Sequence, residues 1–179
     1  MKKIIAFGGS NSKSSINKEF ANYTANKIEN VEVEVLDLND FDLPIYSIDV
    51  ENESGIPANA KSFANKIKEA DGIVISLAEH NGTYTAVFKN LLDWISRIEK
   101  SVFHDKPMLL MATSPGGRGG QTVLETAINS FPRFGANVVS TFSLPSFYDN
   151  FKESELVNED LLNQLNKQVT EFNNVLINN

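Results

Sequence analysis

Cysteine is missing from this 179-residue sequence, and tryptophan occurs once. Disulfide staples, thiol nucleophiles and Cys-ligated metal clusters are therefore excluded, so any redox chemistry has to come from a bound cofactor. Histidine occurs only at positions 80 and 104, with no HExxH pattern, so no metal site is expected. Basic residues are outnumbered 16 to 23, a formal charge of -7, and that field repels phosphate polymers and anionic lipid. Neither a nucleic-acid nor a membrane partner is expected. Long apolar runs are also lacking, since none approaches the roughly 18 residues of a membrane span. The opening Met1-Lys2-Lys3 leads into an apolar run that Gly8-Gly9-Ser10 ends too soon for a signal peptide. The expected location is cytoplasmic.

What is present is 41% hydrophobic residues, enough for the core of one domain over residues 1–179. Lys3 to Phe7 is a short apolar run of the kind that forms a strand buried on both faces. Ile16, Phe20, Tyr23 and Ile28 recur at helical spacing, and Val31 to Leu38 alternates with a period of two. The alternation continues with a helix on Phe63, Ala64 and Ile67, a strand over Gly72 to Leu77, and a helix on Phe88, Leu91, Leu92, Ile95 and Ile98. A strand over Met108 to Ala112, a helix over Val123 to Phe134, a strand over Val138 to Phe142 and a helix on Leu161, Leu165, Val169, Phe172 and Leu176 complete it. Alternation of this kind predicts an α/β fold of three layers, a doubly wound parallel sheet between helices, in the flavodoxin-like order 2-1-3-4-5. Two stretches, Asn39 to Pro57 and Ser143 to Asn158, are long for plain connections.

In an open parallel sheet, ligands bind beyond the carboxyl ends of the strands where strand order reverses. Three loops meet there. The first, Gly8 to Asn17, carries Ser10, Asn11, Ser12, Ser14, Ser15 and Asn17 and runs into a helix, whose unpaired N–H groups suit a dianionic phosphate. It is neither a Walker loop nor a Gly-x-Gly-x-x-Gly fingerprint, and its serines and asparagines also serve as ordinary helix caps. The second, Ala78 to Thr85, contains Glu79, His80, Asn81, Gly82 and Tyr84, polar and aromatic groups placed where a planar ring could lie, although Asn81-Gly82 is also a common turn signal. The third, Thr113 to Gly120, holds four glycines that let backbone approach a ligand.

Taken in order, Gly9-Ser10 with Ser15 and Asn17, Leu43-Pro44-Ile45-Tyr46, Glu79-His80-Asn81-Gly82, Lys89-Asn90 with Asp93-Trp94, and Ser114-Pro115-Gly116-Gly117 with Gly119-Gly120 resemble the NADPH-dependent FMN reductase family. That family comprises flavodoxin-like flavin, quinone, chromate and azo-dye reductases. The resemblance implies that Ser10, Asn11, Ser15 and Asn17 hold the FMN phosphate, and that Glu79, His80, Asn81, Gly82, Ser114, Pro115, Gly116 and Gly117 hold the isoalloxazine. Flavin N5 would carry the chemistry, so no side chain is assigned as catalytic. Arg118, the cation at the mouth, and Tyr84 are the substrate-binding residues. NADPH or NADH would be the donor and a small molecule the acceptor, in alternating turns. Lys89 to Ile95 is similar to the family's dimer-forming helix, which implies a homodimer or homotetramer with Trp94 in the interface. The chain departs from the family's usual Pro-Glu-Tyr-Asn in having Ala78 and His80. A non-enzymatic electron carrier of flavodoxin type is the alternative; a phospho-receiver would need an acidic cluster at the strand ends, and only Glu79 stands after the third strand.

Overall fold

A computed structural model describes residues 1–179. In chain order the elements are β1 (Lys2–Gly9), α1 (Ile16–Ala25), β2 (Val31–Leu36), α2 (Ile48–Ser54), α3 (Ala58–Glu69), β3 (Gly72–Leu77), β4 (Glu79–His80), β5 (Thr83–Tyr84) and α4 (Ala86–Ile98). There follow β6 (Pro107–Thr113), α5 (Gln121–Ser130), β7 (Asn137–Leu144), α6 (Phe147–Asn150), β8 (Phe151–Lys152), β9 (Glu155–Leu156) and α7 (Glu159–Asn178). The large sheet is wholly parallel in the order β2-β1-β3-β6-β7, which is the 2-1-3-4-5 order expected once the short β4–β5 hairpin is set aside.

The continuous apolar runs become central strands because both of their faces are covered. In β1, Ile5 and Phe7 point into one core, while Ile4 and Ala6 point into the other. The same alternation sends Ile73, Ile75 and Leu77 of β3 to the first side and Val74 to the second. Helices α3, α4 and α5 cover the first face, and α1 and α7 cover the second. Edge strand β2 keeps the Val-Glu-Val-Glu alternation because one of its sides is open. There Glu34 takes the ammonium groups of Lys3 at 2.8 Å and Lys66 at 2.6 Å, joining β1, β2 and α3.

The sequence places the elements well and their ends less well. β2 stops at Leu36, because Asp37 accepts from the Asn39 backbone N–H and turns residues 38–40 into a 3-10 turn. The helix expected to reach Phe134 ends at Ser130, where Pro132 lacks the N–H an α-helix needs and Phe131–Phe134 tighten to 3-10. Both long connections contain structure: α2 in the first, and α6 with the β8–β9 hairpin in the second. No helix is long and apolar enough to cross a membrane.

Candidate functional site

Strand order reverses between β1 and β3, and the loops after β1, β3 and β6 meet at that edge. Gly8 makes the first approach possible. A side chain there would collide with the Lys18 backbone nitrogen, so the strand end lies directly against the first turn of α1. Ser15 caps that helix, its Oγ accepting from the Lys18 N–H at 3.1 Å, while Ser10 Oγ accepts from the Ser12 N–H. The result is a hydroxyl-lined cup at a helix N-terminus.

A cavity of about 260 Å³ occupies the junction. Ser10, Ser12, Ser14, Ser15 and the start of α1 form one side, Ala78, Glu79 and His80 a second, and Thr113, Ser114, Pro115 and Tyr148 the rest. A larger cavity of about 320 Å³ lies across the first loop, between Leu38–Leu43 and α4, but includes nothing from the loops after β3 or β6. The smaller one is the candidate site, because the loops after β1, β3 and β6 all contribute to its lining.

Buried hydrogen bonds fix the frame beneath it. The Asn17 carboxamide donates to the Thr113 carbonyl and accepts from the Thr113 N–H, both at 3.1 Å, and also accepts from Ser76 Oγ at 2.7 Å. Thr85 Oγ1 donates to the Gly9 carbonyl at 2.8 Å. Behind the third loop, the Ser146 and Phe147 N–H groups donate to the Gly116 and Ser114 carbonyls, which brings Tyr148 to the cavity mouth.

The predicted residues divide accordingly. Ser10, Ser15, Glu79, His80, Ser114 and Pro115 line the cavity. Asn11 instead lines the larger cavity across the loop. Asn17 lies at the cavity floor, but the residue is 2% exposed and its carboxamide is bonded to Thr113 and Ser76 beneath the cavity. Asn81 and Gly82, with φ of 52° and 78°, form a two-residue turn that closes the β4–β5 hairpin. The Tyr84 hydroxyl is 2.7 Å from Ser130 Oγ and its ring stacks on Phe131; burial pushes its phenol pKa up, and it stands outside the cavity lining. Arg118 is exposed and donates to Thr122 Oγ1 at 3.0 Å. Trp94 is not an interface residue. It is 0% exposed within one chain, donating from Nε1 to the Pro44 carbonyl at 2.7 Å with Tyr46 edge-on to its ring.

Sequence reasoning passed over Ser12, Ser14 and Tyr148. The two serines stood in a loop already read as hydroxyl-rich, and Tyr148 stood in the second long connection, where length was the only signal.

The four glycines of the third loop have two different causes. Gly119 and Gly120 are structural: both have left-handed φ, and a side chain at Gly119 would meet Ser143 Oγ at 2.5 Å. At Gly116 and Gly117 a side chain would meet nothing nearer than 3.9 Å. No packing demands glycine there, and although neither residue lines the cavity, they directly follow Ser114 and Pro115, which do. With the hydroxyl cup set against it, this edge matches a molecule with a phosphate at one end and a planar ring at the other.

The family model for NADPH-dependent FMN reductase matches residues 2–149. The chain belongs to that family. As an NADPH-dependent FMN reductase it is a flavin-dependent oxidoreductase that uses FMN and NAD(P)H and acts on small acceptors. A quinone reductase of Escherichia coli K12 is 30% identical over 181 residues, covering 95% of this chain and 93% of its own. An NADPH azoreductase of a Bacillus species is 30% identical over 137 residues, covering 76% of this chain and 72% of its own. The same fold occurs in the flavoenzyme NAD(P)H:(acceptor) oxidoreductase FerB of Paracoccus denitrificans, with a TM-score of 0.78 at 22% identity, covering 99% of this chain and 98% of that one. The hydroxyl groups of Ser10, Ser12, Ser14 and Ser15 beside the start of α1 are chemically suited to the phosphate of such a cofactor.

Proposed function

We propose that this reductase passes electrons from NADPH or NADH to quinones or azo compounds, with donor and acceptor taking turns on one side of the site. The observation that carries the reading is the pairing of the hydroxyl cup at the α1 N-terminus with the open backbone of Gly116 and Gly117. The quinone reductase and azoreductase relatives support the acceptor class. When bound, FMN supplies hydride acceptance and donation at N5. The chain's own part is binding and shielding. Serine hydroxyls and helix N–H groups would hold the phosphate, the hairpin and the loop after β6 would hold the ring, and His80 and Tyr148 border the cavity. Arg118, exposed in the loop whose Ser114 and Pro115 line the cavity, is a cation available for a nucleotide phosphate or an anionic acceptor. We also propose a cytoplasmic, single-domain chain that pairs through the outer side of α4.

The test is a visible spectrum of protein reconstituted with FMN, followed by NADPH under nitrogen and then a benzoquinone. The expected result is loss of the flavin absorption near 450 nm and its return with the quinone. Steady-state rates should give parallel double-reciprocal lines. Intersecting lines would reject the shared side, and an unbleached spectrum would reject the activity.

A further inference from the structure

The hairpin after β3 and the glycine loop after β6 face each other across the site, yet no strand pairing joins them. Their connection begins with a deficit in α5. That helix starts at Gly120, which has no side chain to accept from the first-turn amides, whereas Ser15 and Thr85 do so for α1 and α4. The oxygen arrives from outside the helix. Glu79 Oε2 accepts from the Val123 backbone N–H at 3.0 Å, and a carboxylate at that end also meets the positive end of the helix dipole.

Glu79 lies directly across the hairpin from Tyr84, so the two side chains leave the same face. Tyr84 reaches Ser130, the last residue of α5. The hairpin is therefore clipped to α5 at two points seven residues apart, roughly 10 Å along the helix axis. Glu79 and its neighbour His80, whose side chains leave opposite faces of the hairpin, both border the cavity.

We infer that Glu79 is a positioning residue: by capping α5 with a carboxylate from another loop, it sets the gap between the two walls that receive the flavin ring. It acts through α5 rather than as a charge on the ring. This rests on the FMN reading for its effect on flavin, and on the hydrogen bond alone for its effect on α5.

The experiment compares E79A and E79Q, since glutamine keeps the acceptor oxygen and loses the charge. In flavin-free protein, amide exchange at Val123 should quicken about tenfold or more in E79A and return most of the way in E79Q. In FMN titrations the Kd should rise about tenfold in E79A and stay within about threefold in E79Q, with a changed visible circular dichroism of bound flavin in E79A only. E79A with native Val123 protection and native FMN affinity would overturn the inference. So would E79Q binding FMN as poorly as E79A while Val123 stays protected, since Glu79 would then act as a charge on the ligand. If the unaltered protein takes up no FMN while E79A still loses protection at Val123, the clip stands and the cofactor assignment falls.

Discussion

Ser12, in the loop after β1, and Asn17, in the first turn of α1, are five residues apart, and their surroundings give them opposite jobs. Asn17→Ala removes a buried carboxamide and orphans the Thr113 N–H, the Thr113 carbonyl and the Ser76 hydroxyl. Buried groups left unpaired cost about 1 to 3 kcal/mol each, with some recovery as the site relaxes. Urea unfolding of the flavin-free protein should therefore show a loss of about 2 to 4 kcal/mol. Ser12 is exposed at the cavity, so Ser12→Ala should leave that stability within about 0.5 kcal/mol. Its effect should fall on FMN affinity instead. Equal stability losses in the two variants would remove the distinction. The contrast also marks how far the sequence reaches. Residue types announced a phosphate loop, but which amide group faces ligand and which is buried beneath it depends on Thr113, 96 residues away. Glu79 is the same case, since its partner Val123 lies in the next crossover unit.

At the scale of elements, short apolar runs, one period-two alternation and helical spacing revealed every strand of the main sheet and its covering helices, because burial on one face or on both writes itself into residue order. α2 left no such mark, since none of its residues is buried. It is held by polar contacts instead. Glu51 accepts from the Tyr46 hydroxyl at 3.0 Å and from Arg97 Nε at 2.9 Å, and Asn90 accepts from the Tyr46 N–H at 2.8 Å while donating to the Pro44 carbonyl at 3.0 Å. Pro44 in turn receives Trp94 Nε1, so the single tryptophan reports on this segment. Asn90→Ala should free residues 43–47, shift Trp94 emission to longer wavelength and open the segment to limited proteolysis. Unchanged emission together with unchanged cleavage would show that Asn90 does not anchor it. The ion pairs of the sheet edge give a second test. Hydrogen bonds from Lys3 and Lys66 hold Glu34 below the usual carboxylate range. A lowered folded pKa contributes stability in full above the unfolded value of about 4.3 and loses it as pH falls through the folded value. Glu34→Gln should therefore be less stable than the parent at pH 7, and the two should converge toward pH 3. A gap that widens on acidification would contradict the assignment. The pair is partly exposed, so added salt should also narrow the gap.

For the whole molecule, the burial of Trp94 moves the question of assembly from that residue to its surroundings. The pairing proposed for α4 would use its outer side and the segment that crosses it. There Ile45 is 77% exposed and Ile48 52% exposed, and Ile98 at the end of α4 is 38% exposed. The Arg97 bond to Glu51 places α2, which begins at Ile48, beside the end of α4, where Ile98 stands. Isolated exposed apolar residues need no explanation, but several flanking one helix suit a self-complementary interface across a two-fold axis. The parent protein should therefore sediment as a species of about 40 kDa, twice the 19.8 kDa of the chain. Ile45→Glu combined with Ile48→Glu should give a monomer at micromolar concentration. Neither side chain supports the core, so the far-ultraviolet circular dichroism and the emission of buried Trp94 should stay those of the parent. A parent that already sediments as a monomer would reject pairing through α4. A double variant that remains a dimer would place the contact on another face.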